Sequence, residues 1–276
     1  RAKSMKPKQF RILHLILALA ALTVALPLFL LVVWSFTNRW PKPLLIPEAF
    51  TWRAWERLLG SYFNVWQVAA SSIALSLFVG VIVTLIAAMA ARAICLYDFP
   101  GKGLLSSAAL LPVIVPATVF GMGSNVLLIR FGINNTIEAV VLGHLIITLP
   151  FAFRTMLETT KLVSTRLEEQ ARVLGASPWA AFLHGTLPAL APGLISSLAL
   201  SFLFSYTHYF LTLVFGGGKD MTLAILILPL IEGSDRTISS AYSILFITST
   251  MVVFLCLQLI AGRIARRVGK QLGGTP

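Results

Sequence analysis

Long stretches with almost no charged residue recur along this chain of 276 residues, and they constrain its fold more than any other feature. An α-helix rises about 1.5 Å per residue, so roughly 20 apolar residues cross a hydrocarbon core about 30 Å thick. Because lipid offers no hydrogen-bond partners, each stretch must satisfy its own backbone groups as a helix. Six membrane-spanning helices are predicted, at about 12–36, 66–91, 104–129, 136–153, 189–214 and 238–261.

The composition agrees with an all-α membrane protein. Charged residues make up 12% of the chain, against about 25% in an average soluble domain. The fourth span is the least secure, because only 15 residues separate Glu138 from Arg154. The apolar piece Met221–Ile231 is too short to cross a bilayer and contains Pro229. We predict that it forms a short helix that lies outside the membrane or dips into it.

The basic residues predict the orientation of the spans. Of the 22 Lys and Arg residues, 15 lie in the N-terminal tail, the second and fourth loops and the C-terminal tail. The positive-inside rule therefore places both termini in the cytoplasm. A nucleic-acid surface would instead need clustered basic residues with aromatic or polar readers, and the sequence shows no such cluster. The first span is predicted to be a retained signal anchor, since its apolar run is too long for a cleaved signal.

Sites for chemistry are scarce in the sequence. No GxxxxGK[ST] phosphate loop occurs, so no ATP site is predicted in this chain, and no metal or cofactor site either. Cys95 and Cys256 are interpreted as small apolar filler rather than a disulfide. Turns are predicted at 97–103 and 130–135, where Gly and Asn residues cluster.

A short amphipathic helix is predicted in the first outer loop. Thr51 is a candidate N-cap, and Trp52, Trp55 and Leu59 follow at helical spacing. Trp is favoured at the membrane interface, so the helix is interpreted as an anchor there, with a contact site for a binding partner as the alternative.

The long fourth loop, about 154–188, is polar and contains its own helix signals. Leu167, Ala171 and Leu174 share one helical face, and Glu168 stands at the favourable i, i+4 spacing before Arg172 on the exposed side. Gly175 is predicted to end this helix.

A second short helix is predicted immediately afterwards, over about Pro178–His184. Ser177 can cap it and Pro178 suits its first turn. The helix is expected to expose Trp179, Phe182 and Leu183, and to end at Gly185–Pro188. Exposed aromatic side chains on a short rigid helix are typical of insertion into a partner's groove, with an ordinary interfacial helix as the alternative.

This loop resembles the EAA loop of ABC importer permeases, the binding-protein-dependent inner-membrane components. That motif is Glu-Ala-Ala, three residues, Gly, nine residues and Ile-x-Leu-Pro. Here Glu169-Gln170-Ala171, Gly175 and Gly185-Thr186-Leu187-Pro188 match it, with Gln170 and Gly185 as departures. The similarity extends over about 70–262. It implies a type I importer permease (MetI-like) core with six spans.

The resemblance also implies a mechanism and partners. Two ATP-binding cassette subunits would hold ATP and Mg²⁺ and grip this loop, a second permease subunit would complete the pathway, and an extracytoplasmic solute-binding protein would deliver substrate. The chain itself would not be an enzyme, and it would lie in a bacterial inner membrane. The residues implied in coupling to the ATPase are Glu168, Glu169, Ala171, Gly175, Ala176, Ser177, Trp179, Phe182, Leu187 and Pro188.

The subfamily is a finer question. Phe131-Gly132-Ile133, His144, Leu149-Pro150-Phe151 and the segment 205–209 resemble the spermidine/putrescine-type permeases, whose relatives carry polyamines, ferric iron, thiamine or phosphonates. A polyamine is a cation, and no acidic residue lies near Thr207-His208 to receive it. A CUT1-type sugar permease is the near alternative.

Polar residues within the spans are the candidates for the substrate pathway. They are Asn125, His144, Ser201, Ser205, Tyr206, His208 and Tyr209, with Thr148 a further possibility. Ser201, Ser205 and His208 form one stripe, at i, i+4 and i+7, and are predicted to face the pore. His144 is interpreted as an interhelical hydrogen-bonding residue rather than a ligand contact. Pro112 and Pro116 are predicted to kink the third span.

Three parts of the chain are predicted: 1–65 with the first span and outer loop, 66–262 as the permease core, and 263–276 as a basic tail. The coupling loop occupies about 158–189 within the core. A membrane enzyme is disfavoured by the lack of a nucleophile–base pair or metal ligands. A secondary transporter is disfavoured as well, because it would carry intramembrane charges or internal repeats, and the sequence shows neither clearly.

Overall fold

The computed structural model describes residues 7–40, 46–60, 64–163, 166–233 and 235–271. The chain divides into two compact units. Unit 1 comprises Arg1–Val65 with Ile227–Ile247, and unit 2 comprises Trp66–Leu226 with Thr248–Pro276.

Helices account for nearly all of the secondary structure in the described residues. In chain order the elements are α1 Pro7–Ser35, β1 Thr37–Arg39, β2 Ala49–Phe50, α2 Arg53–Leu59, α3 Val65–Leu96, α4 Lys102–Ala108, α5 Leu111–Ile114, α6 Ala117–Arg130, α7 Ile137–Val163, α8 Arg166–Val173, α9 Pro178–Ala181, a π-helical turn Phe182–Thr186, α10 Leu187–Thr207, α11 Tyr209–Gly216, α12 Leu223–Glu232 and α13 Arg236–Gln271. The two short strands pair antiparallel.

Five helical stretches in the described residues are long and apolar enough to cross a bilayer, and a sixth crossing is possible if a bent pair is counted as one span. The first, second and sixth predicted spans are confirmed as α1, α3 and α13. The fourth span was predicted too short, because α7 continues ten residues past position 153 to Val163. This extension is amphipathic: Met156 and Thr160 are buried, while Arg154 and Glu158 are exposed. A charged residue therefore did not mark the end of the helix.

The third predicted span is broken rather than kinked. Lys102–Ile114 and Ala117–Arg130 meet at 104°. Val115 is extended, with φ −85° and ψ 126°, because a residue before proline is disfavoured in the helical region, and Pro116 has no N–H to continue the helix. Pro112 lies in the first turn of α5, where its missing donor costs nothing.

The fifth predicted span is also discontinuous. His208, with φ −82° and ψ 97°, separates α10 from α11. At its other end the helix does not begin at position 189. It runs without interruption from Pro178 through the π-helical turn into α10.

Unit 1 is organised around aromatic side chains. Trp55 of α2 stacks on Phe36, with ring centroids 5.6 Å apart, and its Nε1 donates a hydrogen bond to Ser35 Oγ at 3.3 Å. Arg53 forms an ion pair with Asp235 at 2.8 Å. The face of α2 was predicted only in part: Ala54 and Leu58 are buried, whereas Trp52 and Leu59 are exposed. The Thr51 hydroxyl accepts from Arg53 N–H, but the helix begins one residue later than an N-cap at Thr51 requires.

Unit 2 is built on α7, which packs against α10 and α11. Small residues permit the close approach. A Cβ at Gly193 would overlap the side chain of Thr159, and one at Gly143 would overlap the ring of Phe215. Small residues at such positions are typical of helix packing in membranes. Two clusters of buried apolar side chains form the core. The first is Val83, Ala87, Ala91, Ile94, Ala152, Phe153 and Met156, and the second is Ala139, Val140, Ile147, Leu211 and Phe215.

The predicted turns and the short helix are confirmed. Gly101 has φ +87° between α3 and α4, and Gly132 and Asn135 have φ +71° and +59° between α6 and α7. The apolar piece around Pro229 forms α12, a helix of 10 residues.

Candidate functional site

The fourth loop forms a helical hairpin, defined here as residues 166–188 and called the coupling hairpin. Its first helix, α8, ends in a Schellman turn. Gly175 has φ +89°, Ala176 N–H donates to Ala171 O at 3.0 Å, and Gly175 N–H donates to Arg172 O at 3.0 Å. These two bonds are the 6→1 and 5→2 pair of that motif, and they satisfy carbonyls that a helix end leaves free. The predicted stop at Gly175 is confirmed.

The second helix of the hairpin begins as predicted. Ser177 is extended, with φ −64° and ψ 154°, and its hydroxyl accepts a hydrogen bond from Ala180 N–H at 3.2 Å. Pro178 follows in the first turn, where its fixed φ suits a helix. Only Ala176 therefore separates the left-handed Gly175 from the Ser177 cap, which leaves the hairpin little freedom to change its angle.

The predicted end of this helix at Gly185–Pro188 is wrong. Residues Phe182–Thr186 form a π-helical turn that leads directly into α10. Pro188 lies at the start of α10, where the preceding turn has widened. A proline ring clashes with the carbonyl four residues earlier in a regular α-helix, and a π-turn shifts that carbonyl. The hairpin is thus continuous with a membrane-spanning helix.

Arg92, near the end of α3, joins both helices of the hairpin. Its Nη2 donates to Glu168 Oε1 of α8 at 2.9 Å, and its Cζ lies 4.7 Å from the ring centroid of Phe182. Both charged side chains are 22% exposed. Glu168 was predicted to pair with Arg172 within α8. The structure instead directs it to Arg92, because a partly desolvated partner offers a stronger interaction than an exposed i, i+4 pair.

The environment of Glu168 perturbs its ionisation. Burial by itself would raise the pKa of this carboxyl, but the Thr186 hydroxyl and the Arg92 guanidinium more than offset it and hold the pKa below its usual range. Thr186 Oγ1 is buried without a partner that meets strict hydrogen-bond geometry, so Arg92 is the better defined of the two contacts. Glu168 is therefore a carboxylate at neutral pH.

The tip of the hairpin exposes apolar side chains. Val173, Leu174 and Trp179 are 88%, 87% and 68% exposed. Leu174 was predicted to share a packed face with Ala171, and this is wrong for Leu174. Phe182 and Leu183 were predicted to be exposed and are half-buried, since Phe182 lies under Arg92. A groove of about 530 Å³ runs along α8 and its end, lined by Glu169, Gln170, Val173 and Leu174.

Val173 and Arg92 were not predicted as functional residues from the sequence. Val173 precedes the Gly175 turn on the side predicted to be polar. Arg92 is the first charged residue in α3, after a long uncharged stretch of that helix, and that position was a usable signal. Of the other predicted coupling residues, Ala176, Leu187 and Pro188 are half-buried, and Glu169 and Ser177 are exposed.

Three of the predicted substrate-pathway residues, His144, Ser205 and His208, lie together in a polar cluster centred on His144. His144 is 1% exposed and lies on α7. Its Nδ1 is 2.8 Å from Ser205 Oγ on α10, and its Nε2 is 2.9 Å from Thr212 Oγ1 on α11. Thr212 also donates to the His208 carbonyl at 2.8 Å. His144 therefore connects the two helices on either side of the break at His208.

Two residues of the stripe predicted to face a pore, Ser201 and Ser205, are enclosed in this structure. Ser201 and Ser205 are 0% and 2% exposed, and Ser201 Oγ has no hydrogen-bond partner. Tyr206 is 3% exposed and its hydroxyl lies 2.8 Å from Ser249 Oγ of α13.

The other predicted substrate-pathway residues differ in their burial and hydrogen-bond partners. His208 is half-buried, with its ring centroid 6.3 Å from that of His144. Tyr209 is 40% exposed. Asn125 of α6 is half-buried, and its Oδ1 has no partner. Thr148 is buried and donates to the His144 carbonyl of its own helix at 2.6 Å.

A family model described as "Binding-protein-dependent transport system inner membrane component" matches residues 84–270. The chain belongs to this family. It is a permease subunit of an ATP-driven, binding-protein-dependent importer. The match begins within α3 and includes Arg92, the coupling hairpin and the His144 cluster, whereas α1, the two strands and α2 lie outside it.

Relatives of this permease are similar over most of their length. The "Putative 2-aminoethylphosphonate transport system permease protein PhnV" of Salmonella typhi is 27% identical over 249 residues, covering 88% of this chain and 90% of the relative. The "Trehalose transport system permease protein SugB" of Mycobacterium tuberculosis is 29% identical over 226 residues, covering 79% and 82%.

The fold of the permease is found in a solved structure. A chain of a bacterial ABC transporter involved in the import of the acidic polysaccharide alginate matches with a TM-score of 0.64 at 17% identity. The match covers 95% of this chain and 97% of the other. This likeness shows that the permease has the type I importer (MetI-like) fold.

Proposed function

We propose that this permease forms half of a translocation pathway and receives its driving force through the coupling hairpin. The observation that carries this proposal is the exposure of Val173, Leu174 and Trp179 on a segment whose geometry is fixed by a Schellman turn and a Ser cap. Exposed apolar groups on a rigid element are typical of a binding site for another protein.

The partners follow from the proposal. Two ATP-binding cassette subunits contact the hairpins and hold ATP and Mg²⁺, and a second permease subunit, a homologous but different chain, completes the pathway. An extracytoplasmic solute-binding protein delivers the substrate. The membrane is the bacterial inner membrane, with both termini in the cytoplasm according to the distribution of basic residues.

The geometry suggests how motion passes from the hairpin into the membrane. The helix continues from Pro178 through the π-turn into α10, so a displacement of Trp179 moves α10 with it. Arg92 holds Glu168 and Phe182, so α3 moves with the hairpin as well. Closure of the ATP-binding subunits would thereby change the opening of the pathway as a rigid-body switch.

We propose a small polar solute as the substrate, from the group that includes polyamines, ferric iron, thiamine and phosphonates. Within that group a phosphonate is favoured, because PhnV relatives cover most of the chain and because α10 and α11 contain no acidic residue to balance a cation. A CUT1-type sugar substrate is the second candidate, and similarity to SugB supports it.

The coupling proposal is tested with Trp179→Glu in the purified transporter. A buried charge opposes docking, so we expect stimulation of ATP hydrolysis by the binding protein to fall at least about tenfold. Phe131→Glu is the control, since Phe131 is 76% exposed in the turn between α6 and α7. Unchanged stimulation in Trp179→Glu would rule out the hairpin as the docking site.

The substrate proposal is tested separately by uptake into vesicles that contain the binding protein encoded beside this permease. We expect 2-aminoethylphosphonate to be taken up and to resist competition by trehalose and spermidine. Uptake of trehalose with no effect of the phosphonate would favour the sugar alternative.

A further inference from the structure

A basic cleft lies beside the coupling hairpin in unit 2. It has a volume of about 570 Å³ and lies between the ends of α3 and α7, the helix α4 and the start of α10. Its lining includes three cations, Arg92, Lys102 and Lys161, against the single carboxylate of Glu168. The hydroxyls of Ser106, Thr160 and Thr186 also line it. The coupling mechanism uses only Arg92 and Glu168 of this lining, and none of the predicted substrate-pathway residues line it.

The two lysines are available for another anion. Lys102 contacts Asp98 at 2.9 Å and Lys161 contacts Glu158 at 3.2 Å. These carboxylates are 101% and 63% exposed. Ion pairs with such exposed partners contribute little, because water competes for both charges. An anion in the cleft could therefore take over these lysines at small cost.

Thr186 adds a buried hydroxyl to the cleft. It is 3% exposed and lines the cleft. Its Oγ1 faces the Glu168 carboxylate but has no partner of good hydrogen-bond geometry. A phosphate oxygen is an acceptor that suits a hydroxyl and several cations together.

Exposed apolar side chains neighbour the lining residues in the sequence. Leu104 and Leu105 lie between Lys102 and Ser106 of α4 and are 76% and 50% exposed, and Leu162, next to Lys161, is 86% exposed. A free anion gains nothing from apolar side chains, whereas the acyl chains of a phospholipid pack against them. Basic pockets between membrane helices on the cytoplasmic side are typical sites for anionic headgroups.

We propose that the cleft binds a phosphate group, carried by an anionic phospholipid of the inner leaflet. The proposal rests on the proposed orientation, which places this end of α3 and α7 in the cytoplasm. Glu168 of the coupling hairpin lines the cleft together with its partner Arg92 of α3, so the lipid would adjust the position of the hairpin. Lys102 and Lys161 are the headgroup ligands that take no part in the proposed coupling contact.

Cys95 lines the cleft and provides a reporter. The chain has two cysteines, so Cys256→Ser leaves Cys95 as the one thiol of this subunit. The assembled transporter is placed in nanodiscs of phosphatidylcholine with increasing phosphatidylglycerol, without ATP or binding protein. The rate of alkylation of Cys95 by N-ethylmaleimide is followed by peptide mass spectrometry. Because transport is not involved, a failure here is distinct from a failure of the coupling proposal.

We expect phosphatidylglycerol to slow the alkylation. Each basic residue near an anionic membrane surface changes affinity about fivefold, so Lys102→Gln with Lys161→Gln should shift the half-protecting lipid fraction by more than about tenfold. Arg154→Gln with Arg263→Gln removes the same charge from exposed residues outside the cleft and should leave protection unchanged.

Other outcomes would overturn the proposal. Alkylation that does not depend on phosphatidylglycerol, or an equal loss of protection in the Arg154/Arg263 control, would rule out a headgroup site. Full protection by inorganic phosphate in phosphatidylcholine alone would assign the cleft to a free anion and contradict the lipid.

Discussion

Gly175 shows how one residue sets the geometry of the coupling hairpin. Its φ of +89° disfavours any side chain, yet nothing lies within 4 Å of where its Cβ would be. The conformation alone therefore makes glycine necessary. The sequence predicted this position because a left-handed helix stop has a local signature.

We predict that Gly175→Ala lowers the stability of the hairpin by about 1 kcal/mol and reduces the coupling of ATP hydrolysis to transport. Gly103→Ala is the matched control: Gly103 also has open space around it, but it lies inside α4 with an ordinary helical φ. Thermal unfolding and the ratio of transport to ATP hydrolysis measure the effect. If Gly175→Ala and Gly103→Ala changed thermal stability and the ratio of transport to ATP hydrolysis equally, the positive φ of Gly175 would not be the reason that glycine is needed there.

Arg92 and Glu168 could not be paired from sequence, because 76 positions separate them. We predict that Arg92→Gln and Glu168→Gln each weaken coupling, and that the exchange Arg92→Glu with Glu168→Arg restores part of it. A double-mutant cycle on coupling and on stability should give an interaction of about 1 kcal/mol. Additive effects would show that the contact has no role.

The ion pair also predicts a pH dependence. The pKa of Glu168 is lower in the folded protein, so its contribution to stability is present above the ordinary carboxyl pKa of 4.5 and is lost as pH falls through the folded value. The difference in Tm between wild type and Glu168→Gln should be constant down to about pH 5 and shrink in stronger acid. A difference in Tm that grows as the pH falls would contradict a stabilising Glu168 carboxylate.

At the scale of elements, the sequence predicted where helices exist better than where they break or end. Apolar runs identified α1, α3 and α13 because lipid imposes the pattern. The end of α7 was missed because exposed charges such as Arg154 are compatible with an amphipathic extension. The break at His208 has no local signal such as proline, and His144 of α7 contacts the helices on both sides of it.

His144 is predicted to hold α10 and α11 together across that break. His144→Ala leaves the Ser205 hydroxyl without its partner and should cost about 1–2 kcal/mol in stability. A cycle with Ser205→Ala should be non-additive. The KM for substrate should stay unchanged in the variants that still fold. A raised KM with unchanged Tm would instead make His144 a substrate contact.

Close packing of α7 on α10 gives another prediction. Gly193→Ala would push against Thr159 and should destabilise the permease by about 1–3 kcal/mol. Gly123→Ala, with open space around it in α6, should not. Thermal unfolding of the two variants compares them directly, and a neutral Gly193→Ala would contradict the close approach.

For the whole molecule, we propose that the ATP-binding subunits contact this permease at the coupling hairpin. The sequence predicted the class because the membrane spans and the loop motif are both patterns along the chain. It could not predict the contacts of Arg92 or the cleft beside it, since these depend on residues brought together by folding.

Photo-cross-linking in the native membrane tests whether the coupling hairpin contacts the ATP-binding subunit. A photoreactive benzoylphenylalanine replaces Trp179 in one variant and Trp52 in another, two tryptophans that are 68% and 66% exposed. We expect an adduct with the ATP-binding subunit from position 179 and none from position 52. An absence of that adduct at position 179, or its formation from position 52, would contradict it.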